Sequence, residues 1–115
     1  MLFTAAERTA RLYIDERAVG VFLRPLPGVQ GRKATRLVLS LLREAKIPVV
    51  ILDLDAAKLP EGTGCDLVGA KGYRKPTEEI AALLGDIAFR LMLQRLAYPA
   101  HPPAEVLLDP PYGAT

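Results

Sequence analysis

The chain has 115 residues, of which 50% are hydrophobic and 24% charged, the composition of one globular domain rather than of a disordered segment. Its 15 basic and 13 acidic residues intermingle to a net charge of +2, which offers no electrostatic footprint for nucleic acid or an anionic membrane. One cysteine, Cys65, excludes an internal disulfide and a cysteine-built metal cluster. The opening MLFTAAERTARLY meets charge at Glu7 and Arg8 before any signal-peptide core could form, and no window approaches the roughly 18 apolar residues of a membrane span. The expected address is the cytoplasm.

Residues 3–17 predict an amphipathic helix. Phe3, Ala6, Ala10, Tyr13 and Ile14 recur at three- and four-residue steps with charges between them, and Thr4 with Glu7 suggests a capping box. AVGVFLRP is a short apolar run closed by Arg24 and Pro25, without alternation, as in a strand covered on both faces. After the PLPG turn, GRKATRLVLSLLREAK places Ala34, Leu37, Val38, Leu41, Leu42 and Ala45 on one helical stripe. Ile47 to Leu52 is the most β-prone stretch of the chain. Strand, helix and strand in this order predict a right-handed βαβ unit with parallel strands.

AAKLPEGTG predicts a loop and Cys65 to Ala70 a third strand. Proline and acids then open a helix from about Pro76 to Leu96. Ile80, Leu83, Leu84, Ile87, Ala88 and Leu91 make its core stripe, but Phe89, Met92, Leu93 and Leu96 spread apolar surface elsewhere. A helix apolar nearly all round is buried on more than one side, so these four are the candidate interface. The proline-rich AYPAHPP ends the helix, EVLL (Glu105 to Leu108) gives a last strand, and DPPYGAT is a tail. The expected architecture is one α/β domain over residues 1–115: a helix at 1–17, a βαββα core at 18–97, and a turn, strand and tail at 98–115. Its sheet is open and mostly parallel, of about four strands, with helices on its faces.

Ligands of open parallel sheets bind at the carboxyl ends of the strands. Those ends here carry Arg24, Asp53, Asp55, Lys71, Tyr73 and Arg74, a set able to hold a polar small molecule: carboxylates accept from hydroxyls, Arg and Lys donate, and Tyr73 offers a stacking face. Asp53 and Asp55 also resemble the nucleophile pair of haloacid-dehalogenase-like phosphatases. That motif continues with Gly-Thr, where this chain has Ala56 and Ala57, so no phosphatase is expected. His101 is the only histidine and lies among prolines, which argues against a metal site. Gly62 to Gly64 precede a strand and make no phosphate loop, and Cys65 reads as a small hydrophobe.

RLYIDERAVGVFLRP, LLREAKIPVVILDLDAAKLPEGTGCDLVGAKGYR and LMLQRLAYPAHPPAEVLLDPPYGAT together resemble the effector-sensing core of LacI/GalR-type transcriptional regulators, the second passage almost position by position. The resemblance implies a periplasmic-binding-protein-like fold, of which this chain represents about one lobe. The family's DNA-binding headpiece and most of its second lobe have no counterpart here. Asp53, Tyr73 and Arg74 match family positions. Leu54 stands where Arg is common, Lys71 and Gly72 replace an Asp-Asn pair that supplies a sugar-binding carboxylate, and Pro76 replaces a glycine. The resemblance implies a reduced sensor of a sugar or nucleoside, without enzymatic activity, cofactor or DNA binding of its own, working as a homodimer or paired with a related regulator. The alternatives are an interaction module without a ligand and a remnant with no present role.

Overall fold

The computed structural model describes residues 2–26, 28–53, 65–70 and 78–108. Seven elements follow in chain order: α1 (Leu2–Asp15), β1 (Val21–Leu23), α2 (Gly28–Glu44), β2 (Val49–Asp53), β3 (Asp66–Ala70), α3 (Glu78–Ala97) and β4 (Glu105–Leu108). The four strands form one all-parallel sheet in the order β1-β2-β3-β4. The α/β class and parallel sheet predicted from the sequence are what the structure shows. No helix among the described residues is long and apolar enough to cross a membrane.

Strand alternation splits the apolar residues between two cores. Val21, Val49, Ile51 and Leu67 face one side of the sheet, under Ala6 and Ala10 of α1 and Ala34, Val38, Leu39 and Leu42 of α2. Val50 and Val68 face the other, under Ile80, Leu84, Ala88, Leu91 and Met92 of α3. The central strands are therefore covered on both faces. This explains why they read as continuous apolar runs and not as alternating ones.

The two crossovers whose helices are described, through α2 and through α3, step in the same direction along the sheet, yet α2 and α3 lie on opposite faces. Two crossovers of one hand and one direction must put their helices on the same face. These two are therefore of opposite hand, so one of them departs from the right-handed rule applied above to β1, α2 and β2.

Helix ends correct two expectations. α1 begins at Leu2, so Thr4 sits inside the first turn and does not cap it. α2 begins at Gly28, three residues ahead of Gly31, and Gly28 adopts φ 79°, a conformation that glycine reaches without steric cost. Gly31 is needed for a different reason. A Cβ there would lie 2.7 Å from the Leu26 carbonyl carbon, and the approach lets the Leu26 N–H donate to Thr35 Oγ1 (3.1 Å) while that hydroxyl donates to the Gly31 carbonyl (2.8 Å).

α1 and α2 end alike. Arg17 (φ 56°) and Lys46 (φ 60°) occupy the left-handed region. The N–H groups of Arg17 and Ala18 donate to the Ile14 and Tyr13 carbonyls, and those of Lys46 and Ile47 to Arg43 and Leu42. These are paired Schellman closures, with non-glycine residues where glycine is favoured.

Candidate functional site

The carboxyl ends of the strands lie side by side, as the siting rule requires. Leu23 is level with Ile51, Asp53 with Gly69, and Ala70 with Leu108. Arg24 follows β1 directly and is exposed, one strand away from the end of β2. Asp53 closes β2, placed by its backbone; its side chain, together with Asp55, Lys71, Tyr73 and Arg74, lies outside the described residues. Of the six candidates, the sheet thus brings Arg24 and Asp53 to one edge.

The opposite edge of the sheet holds a groove of about 540 Å³. Its apolar wall comes from Leu39, Ile47, Pro48 and Leu96, and its polar side from Arg43, Lys46, Cys65, Asp66 and Arg95. Arg43 Nη2 donates to Cys65 Sγ at 3.8 Å, a weak contact. Cys65 is half-buried and packs beside the α2-side core, close to the small-hydrophobe role expected of it.

The best-built polar cluster in the described chain sits at this edge. Arg95 reaches from the last turn of α3 to Asp66, the first residue of β3, in a two-pronged pair: Nε donates to Oδ2 at 2.8 Å and Nη2 to Oδ1 at 2.9 Å. The side chains are 16% and 4% exposed. Nη1 also donates to the carbonyls of Pro99 (3.0 Å) and His101, and Nη2 to that of Pro102 (3.2 Å). With these bonds all five guanidinium N–H groups are used. The Ala104 N–H donates to Asp66 Oδ1 at 2.8 Å, which ties the approach to β4 into the same cluster.

Burial alone would raise the Asp66 carboxyl. The Arg95 hydrogen bonds, the Ala104 N–H and the positive charges of Arg95 and His101 outweigh it and hold the group below the ordinary aspartate range. In turn the Asp66 carboxylate raises the Arg95 guanidinium, against a smaller opposing effect of burial. Arg95 has no donor left for a ligand, so the cluster is a clamp joining β3, α3 and β4 and not a binding group.

Sequence reading missed this clamp. Asp66 stood at the mouth of an apolar strand and Arg95 within an apolar helix, two lone charges 29 residues apart. Their isolation in apolar surroundings was the available signal, since a buried charge needs a partner. His101 is exposed and contributes its carbonyl, with Nδ1 3.0 Å from the Pro102 carbonyl oxygen. Among the described residues no cluster of His, Cys, Asp and Glu could hold a metal ion.

The candidate interface divides. Phe89, Leu93 and Leu96 are 55%, 51% and 39% exposed, whereas Met92 is 5% exposed and belongs to the core under α3. A Cβ on Gly20 would lie 2.5 Å from Met92 Sδ, so the bare backbone ahead of β1 makes room for this side chain. No protein-family model, curated protein or solved structure matches the chain.

Proposed function

We propose that the chain is a reduced, non-enzymatic sensor of a small polar molecule such as a sugar or nucleoside, similar to the effector-sensing part of LacI/GalR-type regulators and without DNA binding of its own. The observation that carries this reading is the pairing of β2 (Val49–Asp53) and β3 (Asp66–Ala70) as adjacent parallel strands, in a register that sets Asp53 level with Gly69 and Arg24 one strand away. Those are the strand ends at which open parallel sheets take their ligands. A carboxylate and a guanidinium at such an edge supply an acceptor and donors for hydroxyl groups.

Thermal shift followed by calorimetry, over a panel of hexoses, pentoses and nucleosides, tests the reading. A ligand at about 100 times its Kd stabilises the fold by about 2.7 kcal/mol, and Asp53→Ala removes that shift. A panel that leaves Tm unmoved refutes it. A second reading, an interaction module, draws on the exposed Phe89, Leu93 and Leu96 of α3.

A further inference from the structure

The outer side of α3 carries an apolar stripe that is exposed among the described residues, Leu96 at its end also lining the groove described above. At about 100° per residue, Ile80, Leu84, Ala88 and Leu91 point at the sheet, while Ala82, Gly85, Phe89, Leu93 and Leu96 gather on the far side. The first four are buried and the other five exposed.

The outer stripe is ordered by size about Phe89. Gly85 and Leu93 stand four residues to either side of it, and Ala82 and Leu96 seven. The small residues precede Phe89 and the large ones follow. When two such helices run antiparallel across a two-fold axis at Phe89, each Leu93 meets the partner subunit's Gly85 and each Leu96 the partner subunit's Ala82, with the two phenyl rings at the axis. Large side chains then fill the gaps left by small ones along the whole contact.

Charge follows the same symmetry. Asp86 and Arg90 share one flank of the stripe, joined at 3.1 Å, with side chains 54% and 76% exposed. The two-fold axis brings like flanks together and sets Asp86 within about 3 Å, along the helix axis, of the level of the partner subunit's Arg90. Both facing pairs are opposite in sign.

Gly85 supplies an independent observation. A Cβ added there meets nothing within 4 Å. A mid-helix glycine weakens its helix relative to alanine, and no contact in the described fold requires one at this position. A notch for a leucine of the other copy does.

We propose that α3 is a self-pairing surface on which a second copy of the chain docks antiparallel, about a two-fold axis at Phe89. This rests on the interaction reading above and is independent of the ligand reading. The stripe runs about 21 Å from Ala82 to Leu96, so the contact is confined to one helix of each copy.

Sedimentation analysis of the full chain from about 1 to 100 µM tests it, with circular dichroism to confirm that each variant folds. The wild type shifts from monomer to dimer across that range, and Phe89→Asp weakens the dimer by about 100-fold or more. Gly85→Leu is the sharper variant. It adds apolar surface, so a merely adhesive face would associate more tightly, whereas filling the notch weakens the dimer. Asp86→Arg weakens it by about tenfold, and Asp86→Arg with Arg90→Asp restores it.

A wild type monomeric at 100 µM overturns the proposal. A dimer indifferent to Phe89→Asp overturns the interaction reading of this face as well. Tighter association of Gly85→Leu, or a double charge exchange that fails to restore pairing, overturns the antiparallel register while leaving the face itself in place.

Discussion

Replacing Arg95 by methionine removes the only cation that, among the described residues, is bonded to Asp66, while keeping most of the apolar stem of the side chain. The Asp66 carboxylate, 4% exposed, then retains one N–H donor, that of Ala104. Breaking a buried pair from one side costs about 3–5 kcal/mol, because the remaining charge stays desolvated. At about 4 °C per kcal/mol for a domain of this size, Tm at pH 7 falls by about 12–20 °C.

The pH dependence separates this cause from simple loss of packing. In the wild type Asp66 titrates below its unfolded value, so its contribution is complete above the ordinary aspartate range and is lost as pH falls through the depressed folded value. Without Arg95, burial drives the carboxyl upward, and protonation then relieves the variant. The deficit relative to wild type therefore narrows between pH 7 and about pH 3.5. Adding Asp66→Asn to Arg95→Met removes the stranded charge and recovers part of the loss at neutral pH. Circular-dichroism melts across this pH range decide the matter. A deficit under about 1 kcal/mol at pH 7, or one that stays constant with pH, refutes the account of the clamp.

Leu84→Ala empties a fully buried position under α3 and costs about 2–5 kcal/mol in urea unfolding; a loss below 1 kcal/mol means that α3 does not close this core as described. Gly31→Ala forces a Cβ to within 2.7 Å of Leu26 backbone and lowers Tm despite alanine's better helix propensity, by an overpacking cost of about 1–3 kcal/mol. Arg17→Gly relieves a left-handed residue at the end of α1 and raises stability by about 1 kcal/mol; an unchanged or lower Tm contradicts the closure assigned there.

The elements were legible because each is written in local pattern. The stripe in GRKATRLVLSLLREAK, the β-branched IPVVIL and the proline-bounded EVLL depend on near neighbours alone. The clamp was not, because Asp66 and Arg95 meet only after β3, α3 and the approach to β4 have assembled. α3 was half legible. Its excess apolar surface marked a second face, but assigning Met92 to that face required knowing that bare backbone at Gly20 leaves room for it in the core. Arg24 and Asp53 were placed by counting to the ends of strands, and the sheet register sets both at one edge.

The opposed hands of the two crossovers bear on how such a chain could arise. Tandem duplication of a strand–helix unit copies its hand with it, and successive units then lay their helices on the same face, as in a barrel. With α2 on one face and α3 on the other, the half carrying β1, α2 and β2 cannot be superposed on the half carrying β3, α3 and β4 by any shift along the sheet. Among the described elements the sheet therefore holds no translational repeat, and its two strand–helix–strand units present their helices to opposite sides.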